Sequence, residues 1–181
     1  MGTPHPEISD DLAQWITKQS VFFVATAPDA DGHVNVSPKG LDTLRVLGPK
    51  RVAYLDLTGS AAETVAHTLQ NGRITLMWCS FAADMRILRV YGEATPIRYA
   101  DAIESGLADV FPELPGARSI IDVNVTRVST SCGFGLPVFE SEPEARTKLL
   151  EWAESRGQAG IVEYQQSKNA ASIDGLPTFD W

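Results

Sequence analysis

Cysteine is scarce in this chain. Only Cys79 and Cys132 occur among 181 residues, far apart and outside any CxxC or Cys/His spacing, which argues against a disulfide framework and against a zinc site. Both read as reduced, small packing residues. Histidine is equally thin, with His5, His33 and His67 scattered along the chain. Basic residues are outnumbered, 15 against 23 acidic, and the net charge of −8 repels phosphate backbones and anionic lipid. Nucleic acid is therefore not an expected partner. No stretch approaches the roughly 20 apolar residues that span a bilayer, and Met1 to Ser20 has no basic patch followed by an apolar run. The expected location is cytoplasmic, away from membranes. A small anionic ligand stays possible, because solvent screens the global charge beyond about 8 Å and a few local donors then decide.

What is present is an ordinary globular composition, 44% hydrophobic and 21% charged, enough for one substantial core and one domain over residues 1–181. Ile8, Leu12, Trp15 and Ile16 recur at helical spacing within 7–19 and predict an amphipathic first helix. The run Val21-Phe22-Phe23-Val24-Ala25 then reads as a strand, the turn-forming Pro28-Asp29-Ala30-Asp31-Gly32 as a hairpin, and His33 to Ser37 as its second arm. Further strands are expected at 43–47, 51–57, 73–81, 85–97 and 121–126. Helices are expected at 60–70, 99–110 and 142–156, the first with Ser60 as N-cap and Glu63 closing a capping box, the last with Pro143 in its first turn. The tail from Gln165 to Trp181 reads as extended and pinned by Phe179 and Trp181. Six or seven strands joined mostly by short turns argue for a closed antiparallel barrel with helices outside, since closure removes exposed edges.

Three constellations could carry chemistry. In Asn35-Val36-Ser37-Pro38-Lys39-Gly40, Pro38 stiffens a strand end, Gly40 admits close backbone approach, and Ser37 and Lys39 set a hydroxyl beside an ammonium. This suits an anion; an ordinary turn with an exposed lysine explains the same tetrapeptide. In Asp56-Leu57-Thr58-Gly59-Ser60-Ala61-Ala62-Glu63-Thr64, small residues leave amides open at a helix entrance, with Thr58, Ser60 and Thr64 adding hydroxyls. Helix capping alone accounts for much of it. In Ser131-Cys132-Gly133-Phe134-Gly135, two glycines around an aromatic could lay backbone against a flat ring, or merely end a strand. Together the first two favour a phosphate. Neither is a Walker loop or a GxGxxG fingerprint. Trp78 reads as core and Arg89 as a cross-strand ion-pair partner.

The order of these motifs, with Tyr54-Leu55-Asp56, Asn71-Gly72-Arg73-Ile74 and Arg89-Val90-Tyr91-Gly92-Glu93-Ala94, resembles the pyridoxamine 5′-phosphate oxidase-like split barrels over Leu12 to Gly135. The resemblance implies a mainly β fold with peripheral helices, an antiparallel six- to seven-stranded split β-barrel. It also implies a homodimer with flavin mononucleotide, FMN, at the subunit interface. By position, Ser37 and Lys39 would reach the phosphate; Thr58, Gly59, Ser60 and Thr64 would cradle it; Val36, Pro38, Gly40 and Asp56 would flank the cofactor; Cys132 and Gly133 would come from the partner. The tail Leu176-Pro177-Thr178-Phe179-Asp180-Trp181 lacks the basic substrate cluster of true pyridoxamine phosphate oxidases, so vitamin B6 oxidation is not expected. The implied function is FMN-dependent oxidoreduction on a small molecule. A non-catalytic flavin-binding or flavin-sensing protein, and a related barrel for deazaflavin or haem, are the alternatives. No side chain stands out as an acid or base.

Overall fold

The computed structural model describes residues 2–141 and 143–181. Eight strands form one antiparallel sheet: β1 (Thr3–His5), β2 (Phe22–Thr26), β3 (Asn35–Lys39), β4 (Leu44–Gly48), β5 (Arg51–Leu57), β6 (Arg73–Cys79), β7 (Arg86–Arg98) and β8 (Ala117–Cys132). Their spatial order is β3-β2-β6-β7-β8-β5-β4, with β1 beside β8. The short β1 is additional to the expected strands, and β8 extends the expected 121–126 in both directions.

The sheet curls into a barrel that remains split. β3 and β4 are its terminal strands, and among the described residues no ladder joins them. A closed barrel was the expectation from edge removal alone. Pro38 lies within β3 and has no N–H to donate, so β3 sits as a terminal strand, the place where a sheet tolerates proline.

Alternation selects what faces the interior. On β2, Phe22, Val24 and Thr26 are buried while Phe23 and Ala25 are half-buried on the opposite face. The main core joins Ile8, Leu12, Trp15 and Ile16 to Phe22, Val24, Tyr54, Leu76, Trp78, Leu88 and Val90. Phe22 stacks on Trp78 and meets Tyr54 edge-on, with centroids 5.9 and 5.5 Å apart. A smaller core lies on the other side of β5, where Ala53, Leu55 and Ile120 meet Ala102 and Phe111. β5 is thus buried on both faces, which explains its unbroken apolar run Val-Ala-Tyr-Leu.

Helix α1 (Asp10–Thr17) is capped by Ser9, whose Oγ accepts from the Leu12 amide at 3.3 Å. Helix α2 (Glu63–Asn71) starts later than expected. Ala62 is its N-cap without a side-chain bond, and Glu63 accepts from the Ile173 amide at 3.1 Å, so the Ser60–Glu63 capping box does not form. Its stop at Gly72, in the left-handed region with φ of 70°, agrees with expectation. The expected helix 99–110 divides into α3 (Tyr99–Glu104) and a 3₁₀ turn (Leu107–Val110) at Gly106, φ 76°. Helix α4 (Lys148–Lys168) begins beyond Pro143 and passes a break at Gly157 to reach Lys168, so Gln165 belongs to it and the extended tail starts later. Of the expected helix 142–156, residue 142 lies outside the described residues. Phe179 and Trp181 do pin the tail, edge to face at 5.2 Å, with the Trp181 indole donating to the Asn169 carbonyl at 2.9 Å. No described helix is long and apolar enough to cross a membrane.

Gly92 marks a register shift between β7 and β8, where backbones approach closely: a Cβ there would lie 2.5 Å from the Asn124 carbonyl oxygen and 2.6 Å from Val123 Cγ1. Gly92→Ala is expected to lower stability by about 1–3 kcal/mol in urea unfolding. Gly48→Ala, with nothing within 4 Å of the new methyl, is expected to stay within roughly 0.5 kcal/mol of wild type.

Candidate functional site

Two of the expected site residues, Lys39 and Asp56, meet directly. Lys39 and Asp56 lie on β3 and β5, strands that are not ladder neighbours, yet Lys39 Nζ donates to Asp56 Oδ1 at 2.7 Å. Asp56 is fully buried. Its other oxygen accepts from Arg118 Nε, also at 2.7 Å, and both cations belong to residues far away in sequence. Burial alone would push this carboxyl up; the Arg118 charge, then the Lys39 charge and their hydrogen bonds, overcome it and hold its pKa at about 2. Two cations share one carboxylate, so the trio carries one net positive charge within a protein of net charge −8.

Arg118 is held at three points. Besides Asp56, its Nη1 donates to Asn169 Oδ1 at 2.9 Å and its Nη2 to the Ala61 carbonyl at 2.8 Å. Lys39 differs. It makes one charged hydrogen bond of the three an ammonium offers, lies over the Tyr54 ring at 5.8 Å, and keeps 21% of its side chain open to solvent.

Asn35 is the hub of a second network. Its amide nitrogen donates to Thr26 and Thr64, each at 3.2 Å, and its oxygen accepts from Ser37 at 3.0 Å. Thr26 Oγ1, which accepts from Asn35, also lies 3.0 Å from His67 Nδ1. Among the described residues, neither His67 Nε2 nor the Tyr54 hydroxyl has a hydrogen-bond partner, and both are buried. Burial lowers the His67 pKa and raises that of Tyr54 well above the phenolic range, with Asp56 adding to the latter, so both stay neutral.

The loop from β5 into α2 is held from outside. The Thr58 amide donates to the Gly116 carbonyl at 2.7 Å, Thr58 Oγ1 accepts from Gln165 at 2.8 Å, and the Gly59 carbonyl accepts from Asn169 at 2.9 Å. Ser60 is exposed. Hydrogen bonds thus join Ser37 to Thr64 through Asn35 and Lys39 to Asp56, while Thr58, Gly59 and Ser60 follow Asp56 on the loop into α2. Val36, 61% exposed, and Pro38 point to the opposite face of β3, while Gly40 begins the turn that Thr43 closes by donating to its carbonyl. Cys132 and Gly133 are not brought in by the same chain: Asp56 pairs with Ser119, and Cys132 lies thirteen residues farther along β8, about 40 Å of extended strand. Cys132 is exposed rather than packed, and Arg89 donates to Ser131 at 3.2 Å rather than forming the expected ion pair. Trp78 is core, as expected.

Arg118, Asn169, Gln165, Thr26 and His67 were not identified in the sequence as part of this region. His67 had a faint signal, lying one helical turn from Glu63 and Thr64. Arg118 and Asn169 had none, being 62 and 113 residues from Asp56.

Two measurements test the buried carboxylate. Asp56→Asn strands two cations, and urea unfolding is expected to show a loss of roughly 3–5 kcal/mol. Because the folded pKa lies below the unfolded value, the stabilisation is complete above about pH 4 and is lost as pH falls towards 2. Acid titration of wild type is expected to show a loss on the order of 2 kcal/mol in that window, absent from Asp56→Asn.

Comparison with known proteins adds identity to this geometry. Residues 8–132 match the family model described as pyridoxamine 5′-phosphate oxidase. The chain is 38% identical over 191 residues to the pyridoxamine 5′-phosphate oxidase family protein ustO of Aspergillus flavus, covering 96% of this chain and 76% of that one. Among solved structures, HupZ from Group A Streptococcus superposes with a TM-score of 0.53 at 22% identity, covering 67% of this chain and 91% of that one. A provisionally named pyridoxamine 5′-phosphate oxidase from Lactobacillus delbrueckii gives 0.55 at 23% identity, covering 71% and 98%. At such identity the two structures establish the fold alone. The match over 8–132 and the relationship to ustO establish that this chain belongs to the pyridoxamine 5′-phosphate oxidase family.

Proposed function

We propose that the protein, as a single domain, binds FMN through a phosphate grip at Lys39 and the entrance to α2, and acts in the cytoplasm as a flavin-dependent oxidoreductase on a small molecule. The observation that carries this reading is the Lys39 ammonium, which satisfies Asp56 with one N–H and has two left beside a partly open surface. The donor set fits a phosphate monoester. The first turn of α2 has no side-chain cap, its dipole favours an anion, and the exposed Ser60 hydroxyl lies two residues before its N-cap. The Asp56 trio carries one net positive charge, which favours the same ligand, and the Glu63 side chain at the α2 entrance is turned to the Ile173 amide.

A bound FMN would supply the electron or hydride transfer. The chain's own residues bind and orient. Lys39 and Ser60 meet the phosphate, while Asp56 and Arg118 keep Lys39 in place. Ser37, whose proton goes to Asn35, presents an acceptor oxygen and so suits a ligand hydroxyl or N–H better than an ionised phosphate oxygen.

A homodimer is part of the same reading. Val36 and Pro38 of β3 continue through Phe23 and Ala25 of β2 to Thr75 and Met77 of β6 on one face of the sheet, exposed or half-buried in the single chain. A second copy laid on this face would bury that apolar surface, and the Cys132–Gly133 segment would then reach the cofactor from the partner.

The grip is tested by titrating FMN and riboflavin, which lacks the phosphate, against fluorescence quenching. Lys39→Ala is expected to weaken FMN by about 1.5–3 kcal/mol, roughly 10- to 100-fold, and to leave riboflavin unchanged. Equal affinities for FMN in the two proteins would remove Lys39 from the site. Light scattering is expected to give twice the 19.6 kDa of one chain, and Val36→Asp a monomer.

A further inference from the structure

Helix α4 and the tail lie beyond residue 132, where the family match ends, yet their side chains reach the centre of the site. Asn169 is fully buried and uses every polar group it has. Its Oδ1 accepts from Arg118, its Nδ2 donates to the Gly59 carbonyl, its amide donates to the Gln165 carbonyl at 2.8 Å, and its carbonyl accepts from Trp181 and Thr178. One amide therefore ties the guanidinium that neutralises Asp56 to the loop that precedes α2.

We propose that Asn169 is a positioning residue for phosphate recognition: by holding Arg118 against Asp56 it leaves the Lys39 ammonium free to bind a phosphate, and by holding Gly59 it keeps the amides at the α2 entrance in place. This rests on the FMN reading above. The electrostatic reason is competition for one buried carboxylate. With Arg118 seated, Asp56 is balanced by two cations and its demand on Lys39 is shared. With Arg118 loosened, the carboxylate draws on Lys39 alone, and the remaining ammonium protons face a less positive surrounding. A carboxylate at 169 would act more strongly, since it would pair with Arg118 and add a negative charge beside the phosphate. Gln165 supports the same loop from one turn earlier on α4, through Thr58.

The test uses the full-length protein. FMN and riboflavin affinities are measured by fluorescence quenching for wild type, Asn169→Ala and Asn169→Asp, with folding verified by circular dichroism. Asn169→Ala is expected to weaken FMN about tenfold, the scale on which outer-shell partners tune the ligands of metal sites. Asn169→Asp is expected to weaken it further, and riboflavin is expected to be unchanged by either. Equal losses for both flavins would overturn the positioning role, because a merely structural defect does not single out the phosphate. Should Asn169→Ala fail to fold, Asn169→Gln, which keeps the amide one methylene farther out, is measured in its place and is expected to show the same selective loss. In flavin-free protein, ¹³C NMR titration of the Asp56 carboxyl is expected to move upward from about 2 in the alanine variant. An unmoved titration overturns the proposal whatever the flavin data. A shifted titration in a protein whose wild type binds FMN no better than riboflavin removes the phosphate reading instead, and with it this role for Asn169.

Discussion

A carboxylate with no exposure to water must be neutralised where it stands, and in this protein that requirement organises the open side of the barrel. Asp56 draws Lys39 from the terminal strand β3 and Arg118 from β8, and each comes within 2.7 Å. The ladder does not join β3 to β4, so the Lys39–Asp56 pair is one of the contacts that spans the split where backbone hydrogen bonding stops. Arg118 carries the constraint outward to Ala61 and Asn169, and through them to the α2 entrance and the end of α4.

Beside this charged trio lies a neutral network of the opposite character. Asn35, Ser37, Thr26, Thr64 and His67 join β2, β3 and α2 through hydroxyls, an amide and an imidazole. The same burial that lowers the His67 pKa raises that of Tyr54, because in both cases it disfavours the charged form. Both groups are thus neutral beside the Asp56 trio, and the buried Glu63 side chain at the start of α2 is turned to the Ile173 amide. A phosphate approaching Lys39 meets a local positive charge with no competing titration from these two neighbours.

The acidic character of the chain and the proposed phosphate grip are compatible for a geometric reason. Net charge acts through solvent and is screened beyond about 8 Å, whereas a donor in contact with a phosphate acts through a partly dry surface. Helix α4 and the tail share in building this region, with Gln165, Asn169 and the Ile173 amide holding Thr58, Gly59 and Glu63.

Local chemistry made much of the fold legible. The apolar alternation of β2, β6 and β7, the doubly buried run of β5 and the αL glycine after α2 each depend on residues within a few positions of one another, and the sequence determined them, as it did the placing of Ser37 and Lys39 on one face of β3. Ser60 read as a cap, but Glu63 found a partner 110 residues away in the Ile173 amide, and the helix began three residues later. The length of β8, the split between β3 and β4, and the sharing of Asp56 between Lys39 and Arg118 arose only in the tertiary structure. They depend on strand order and on burial of a charge, and neither is encoded in the spacing of neighbouring residues: a carboxylate looks the same in sequence whether water or two distant cations surround it.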